Sequence, residues 1–336
     1  MSVDVTKLDL EEDQDEWNRY VERSTDTNPF YLAEALRLQA AETDSTVHAL
    51  AGFKGQEAVG LFPVFERRTG PFTAVFSPAP YSWTIYLGPA MVNLEPLKRR
   101  KVDRRTRTFL ENCIEWIDDE LSPVYHKYAV TEFPDTRPFV WNDFTVEPNY
   151  TYVLDLDGSE SELLDRFSAD ARRNVTNADP SKYLLEEGDG RDVCRIVEQV
   201  QSRYNAQGRP FHLTTEFAQD LYETLPVGSI RPYTCRVDGE FMGGILVLES
   251  DVTRYRWQGG VRPDTDVDLS VNDLLDWHVI RSALADGFDH YDLVGAGVPS
   301  INRYKAKFNP RLVPNYTVTG GVYGLDILID TYRKMW

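Results

Sequence analysis

The stretch SVNDLLDWHVIRSALADGFDHYDLVGAGVPSINRYKAKFNP, residues 270–310, decides how the rest of the 336-residue chain is read. Its first part carries Leu274, Leu275, Trp277, Ile280 and Leu284 at helical spacing, which predicts a helix over 269–286. A strand over 290–294 then runs into Gly295 and Gly297, where the chain can turn tightly or let a ligand approach the backbone. As a GxGxxG phosphate fingerprint the segment fails, because Ser300 stands where the third glycine belongs and no βαβ unit follows. A short helix capped by Ser300 and reaching Phe308 places Ile301, Tyr304 and Phe308 on one face. Lys305 lies nearest that face of the neighbouring bases, so it is the one predicted to turn inward. An inward ammonium must meet an anion, a carbonyl or a developing oxyanion, since an unpaired buried charge is costly.

The charge pattern around this stretch points the same way. The chain has 54 acidic and 36 basic side chains, a net charge of −18, which argues against a nucleic-acid binder working through overall charge. Yet the 33 residues between Asp292 and Asp326 contain no acid while holding Arg303, Lys305, Lys307 and Arg311. A surface rich in acids has been kept neutral or positive here, which marks an anion site in 293–311. A second acid-free gap runs from Arg67 to Leu94, and KRRKVDRRTR (98–107) then packs seven bases against one acid. Buried strands account for much of that gap, and the basic run reads equally as a solvated helix start paired with neighbouring acids. With 31 Asp against 23 Glu and only 9 Lys, the surface suits molar salt, where repulsion is screened within about 3 Å. A halophilic source predicts a melting temperature that rises from dilute buffer to molar KCl; a flat curve would count against it.

Further outward, the chain reads as mixed α/β throughout. Before 134, helices are predicted over 13–24, 31–41 and 96–121, with a hairpin at 47–66 and strands within 72–92 and at 128–133. Residues 134–149 hold three prolines and no clear period, so the domain link is placed there: an N-terminal domain over 1–149 and a C-terminal domain over 150–336. The second half repeats the plan, with strands at 150–156, 182–187, 230–237, 241–249, 253–259 and 313–318, and helices at 159–178, 191–204 and 215–225. Cys113, Cys194 and Cys235 are few and far apart, and the five His are scattered, so no disulfide framework or metal site is expected. No apolar run of 18 or more residues occurs, and the start lacks a signal peptide's pattern, so the expected compartment is the cytoplasm.

Four segments in order then look familiar: YTYVLDLDGSESELLDRFSADARRNVTNA (150–178), RYNAQGRPFHLTTEFAQDLYETL (203–225), VDGEFMGGILVLESDVTRYRWQGG (237–260) and 270–310 itself. They resemble the FemAB-like, or BioF2-like, branch of the GNAT acyltransferase superfamily. More loosely, so do NPFYLAEALRL (28–38), VGLFPVFERR (59–68) and SPAPYSWTIYLGPAM (77–91). The resemblance implies an α/β fold of two tandem GNAT-like domains packed side by side. It implies transfer of an acyl or aminoacyl group from an activated carrier, acyl-CoA or aminoacyl-tRNA, to an amine, with no metal. The Tyr-Lys-x-x-Phe-Asn run at 304–309 matches the family's Phe-Lys-x-x-Phe-Gly, whose Lys lies at the reaction centre. Lys305 takes that role by position, and Arg173 matches a family Arg. Asn309 replaces the family glycine, and the superfamily's (Q/R)xxGxG/A pyrophosphate loop is not recognisable.

For such a reaction Lys305 is the cation that steadies the tetrahedral oxyanion, and Asp292, at a strand end near the glycines, is the base or acceptor orienter. Arg173, Tyr204, Arg209, Tyr255, Trp257, Arg303, Lys307 and Phe308 are the expected substrate-binding residues. The acceptor is a small-molecule, glycan or peptide amine, with tRNA as a further partner. The rival reading is a non-catalytic protein of the same fold that holds an anionic sugar, a lipid head group or nucleic acid.

Overall fold

The computed structural model describes residues 2–24, 27–94, 97–131, 133–261 and 269–322. The chain forms two compact units, residues 1–149 with 314–336, and residues 150–313. The second unit begins at residue 150, and the expected link at 134–149 lies within the first unit as the helix Arg137–Trp141 and the start of the strand Thr145–Asp155. Residues 314–322 belong with the first unit, whereas the sequence reading placed them in the second.

The first unit contains β1 (Asp4–Leu8), α1 (Gln14–Val21), α2 (Ala33–Glu42), β2 (Thr46–Lys54), β3 (Glu57–Thr69), β4 (Phe72–Ser77), β5 (Ala90–Met91), α3 (Arg99–Leu121), β6 (Tyr125–Thr131) and α4 (Arg137–Trp141). Strands β1 to β4 are antiparallel neighbours, β5 pairs with β3, and β4 pairs in parallel with β6. The parallel step needs a crossover, which α3 supplies. Strand β13 (Arg311–Gly321) lies antiparallel to β6 through Asn315–Gly321, and this pairing is why the chain after 313 joins the first unit.

Strand β7 (Thr145–Asp155) leads into the second unit, which holds α5 (Glu160–Arg166), α6 (Ala169–Thr176), β8 (Leu184–Glu187), α7 (Gly190–Ala206), α8 (Thr215–Thr224), β9 (Ile230–Val237), β10 (Glu240–Glu249), β11 (Thr253–Gly259), α9 (Val271–Asp286), β12 (His290–Asp292) and α10 (Pro299–Lys305). Strands β8 to β11 are antiparallel, β11 and β12 are parallel with α9 as the crossover, and β12 is antiparallel to β7. The two units therefore share one sheet plan, the repeat expected from the sequence. At the end of β11 the backbone of Gly259 has φ +111, and a Cβ there would sit 2.3 Å from the Gly244 carbonyl oxygen. Only glycine lets β11 stay this close to β10.

Two local expectations change. The helix read over 159–178 is two helices, because Phe167 turns into the core against Trp277 and Phe308 while Ser168 caps α6 by accepting from Ala171 N–H. The Ser168 N–H donates to the Lys307 carbonyl at 2.8 Å, which ties that break to the site below. Ser300 does not cap α10 either: Val298 is the cap and Pro299 opens the first turn, where its missing N–H costs nothing. The expected helix start at Pro96 lies outside the described residues.

Candidate active site around Lys305

Lys305 ends α10 and is only 7% exposed, so the helix phase read from the sequence puts its side chain inward as expected. Its Nζ donates to the Val294 carbonyl at 2.6 Å and the Gly295 carbonyl at 2.7 Å. Those carbonyls come from the turn after β12, where Val294 has φ 53 and Gly295 φ 79. A β-branched residue in this left-handed region carries strain, about 1–3 kcal/mol, and persists only where its surroundings hold it. Two groups do so. Asp292 Oδ1 accepts from the Val294 N–H at 2.7 Å and from the Thr151 hydroxyl at 2.5 Å, and Thr151 Oγ1 in turn accepts from the Gly295 N–H at 2.9 Å.

An ammonium has three donors, and among the described residues two carbonyls take two of them. Burial brings the Lys305 pKa down to about 8, helped by the nearby Arg256 charge and opposed by Asp292 and Asp276. At neutral pH the group is still mostly a cation, yet close enough to its midpoint to lose the proton in mild alkali.

Behind it lies an ionic and hydrogen-bonded cluster centred on the fully buried Asp276 of α9. Arg256 Nε donates to Asp276 Oδ1 at 2.8 Å, the Tyr291 hydroxyl to the same oxygen at 2.7 Å, and the Tyr304 hydroxyl to Oδ2 at 2.5 Å. Burial beside this carboxylate pushes both tyrosine pKa values well above the usual range, so both hydroxyls stay protonated donors. Tyr304 precedes Lys305 in the chain, so the cluster fixes the helix turn that carries the ammonium.

The other expected residues separate into groups. Asp292 is buried, its Oδ1 accepts from the turn that receives Lys305, and its negative charge favours the ammonium. Tyr255 stands opposite Asp292 in the parallel register of β11 and β12. Lys307 is half-buried, with Nζ at 2.8 Å and 3.1 Å from the Asp273 oxygens, and Asn174 donates to Asp273 at 2.5 Å. Arg173 and Arg303 are exposed, on α6 and α10. Tyr204 and Arg209 cluster with Phe211 at the end of α7, the rings 4.8 Å apart and the guanidinium 5.5 Å over Tyr204. Phe308 is a correction: it is fully buried in the core against Phe167 and Tyr304, so it packs and meets no ligand. Trp257, 4% exposed, is likewise mainly core.

Sequence reading missed Thr151, Arg256, Asp273 and Asp276. Asp273 and Asp276 did carry a signal, acids one turn apart on the apolar part of a helix, where a carboxylate needs buried partners. Thr151 carried none, since it lies 141 residues from the Asp292 it bonds.

Residues 166–306 match the Acetyltransferase (GNAT) domain family. The structure of FemX resembles this chain with a TM-score of 0.73 at 11% identity, over 94% of this chain and 96% of that one. The C-terminal domain (DUF2156) of a putative lysylphosphatidylglycerol synthetase from Agrobacterium fabrum gives 0.58 at 12% identity, over 96% of each chain. A tandem GNAT protein from the clavulanic acid biosynthesis pathway gives 0.53 at 13%, over 95% of this chain and 98% of that one. At such identities the likeness is one of fold. No curated protein matches the chain in sequence.

Proposed function

We propose that this chain, whose residues 166–306 match a GNAT acetyltransferase domain and whose fold resembles that of FemX, moves an acyl or aminoacyl group from an activated ester or thioester to an amine, with Lys305 as the oxyanion-stabilising cation. The observation that carries the reading is the buried Lys305 ammonium, held on two carbonyls. The acceptor nitrogen attacks the donor carbonyl carbon, an N–C bond forms, and the carbonyl oxygen takes up negative charge. Lys305 donates to that oxygen while it is charged. The C–O or C–S bond to the carrier then breaks, and the carrier leaves with its electron pair and a proton lost by the amine. The ammonium contributes most where charge develops in a site sheltered from water, and its fixed position means nothing need reorganise during the step.

Between donors, the unrecognisable pyrophosphate loop weighs against acyl-CoA, and the resemblance to the FemAB branch favours aminoacyl-tRNA. The acceptor in this reading is a peptide, glycan or small-molecule amine. Label transfer from charged tRNA and from acetyl-CoA to a panel of amines, run in parallel, tests the choice. Transfer from charged tRNA alone is the expected result. Transfer from acetyl-CoA alone would overturn the donor and leave the Lys305 chemistry in place, whereas transfer from neither would count against the reaction class.

A further inference from the structure

The run KRRKVDRRTR, which the acyl-transfer site does not use, forms the N-terminal half of α3. Lys98 is its cap residue and Arg99, Arg100 and Lys101 open the first turn, with no acid there. The opposite end carries Asp118, Asp119 and Glu120 and no base. Both ends thus oppose the helix dipole, which favours acids at the start and bases at the end. A sequence that breaks a local rule at both ends of a long helix points to a use outside the fold.

Some of these bases are spent locally. Arg99 pairs with Asp103, Arg105 with Glu57 and Arg107 with Glu111. Among the described residues Lys98, Arg100, Lys101 and Arg104 form no ion pair, and all four are exposed. Arg100, Arg104 and Arg107 follow one another at spacings of four and three, so they line one solvent-facing stripe. Beside that stripe stands α4. Its Phe139 is fully buried against Tyr128 and Phe144, which anchors the helix, while Val140 and Trp141 are 54% and 52% exposed. The Arg107 and Arg137 guanidiniums lie over the Trp141 ring, 5.3 Å and 5.5 Å from its centroid.

We propose that this face of the first unit docks on the surface of an anionic lipid bilayer, the arginines and lysines taking lipid phosphates and Val140 with Trp141 entering the headgroup layer. Two adjacent exposed apolar side chains bordered by cations fit an interface that is apolar below and anionic above. RNA would use the same cations, but it offers nothing for Val140, and guanidiniums already cover the indole face on which a base would stack. No described helix is long and apolar enough to cross a membrane, so the attachment is peripheral. The surface is independent of the acyl-transfer reading.

The test is co-flotation of the full chain with phosphatidylcholine vesicles and with vesicles of equal phosphatidylcholine and phosphatidylglycerol. Binding is expected to the anionic vesicles alone. Neutralising Arg100, Lys101 and Arg104 together to Gln should weaken it about 10²-fold, at roughly fivefold per base. This triple variant removes bases from the positive end of a helix, so its melting temperature should hold or rise, which separates lost docking from lost folding. Trp141→Ala should weaken binding by a similar factor at about 0.1 M and about 1 M KCl, because an apolar contact is not screened. The proposal is overturned if the wild-type chain ignores anionic vesicles, if the triple variant binds as well as wild type, or if bulk RNA displaces the vesicles.

Discussion

Replacing Lys305 with Met should lower kcat for acyl transfer about 10²–10³-fold, the usual loss when one oxyanion donor is removed, while leaving the binding of the donor substrate nearly unchanged. Met nearly matches the length of the lysine stem and removes only the charge and the donors. The Val294 and Gly295 carbonyls lose their partner, at about 1–3 kcal/mol for a buried polar group left unsatisfied. Against that, the variant no longer buries an ammonium whose depressed pKa records its desolvation. The two effects oppose each other, so the melting temperature should move by only a few degrees. Arg is a poor rescue: it keeps the charge, but its planar fork does not fit two adjacent carbonyls reached by a narrow ammonium. Steady-state turnover with equilibrium donor binding on the same protein checks this. Loss of binding at unchanged turnover per bound donor would favour a protein that holds its ligand without transferring it.

The largest stability effect is expected at Asp276. Its carboxylate is fully buried and takes hydrogen bonds from Arg256, Tyr291 and Tyr304. Asp276→Ala removes the acceptor and leaves an uncompensated guanidinium in the core, which costs about 3–5 kcal/mol. For a unit of this size that corresponds to a melting temperature lower by roughly 10 °C. Asp276→Asn keeps an acceptor oxygen for the tyrosines but not the charge, so it should fall between Ala and wild type. Both variants should also push the Lys305 proton off at lower pH, since Asp276 opposes and Arg256 promotes its loss. Calorimetry on the two variants checks the order; equal melting temperatures for wild type and Asp276→Ala would refute the buried network.

Much of the fold was legible because periodicity reports burial directly. The apolar spacing of 269–286 predicted α9, and two strand-like runs within 47–66 broken by a turn predicted the β2–β3 hairpin. Lys305 was legible for the same reason, since a helix of known phase fixes which base lies near the apolar side. What remained hidden depends on partners remote in sequence. Thr151 and Arg256 sit on strands, where alternation gives two faces but the register that brings a face against α9 or the 294–295 turn is set by the assembled sheet. The spacing of Phe308 from Tyr304 had already placed it on the inward face, where it is fully buried. The departure of 314–321 to β6 could not be read locally, because a strand's own residues do not name the edge it joins.

The most direct test of the central claim is the pH dependence of kcat/KM for wild type and Lys305→Met. A cation whose pKa lies at about 8 is present below that pH and disappears above it, so wild-type activity should fall through a limb near pH 8. The Lys305→Met profile should lack that limb at its lower level. Activity that climbs through the same pH range, as it would if a neutral Lys305 served as the base, or a limb that survives in the variant, would contradict the account.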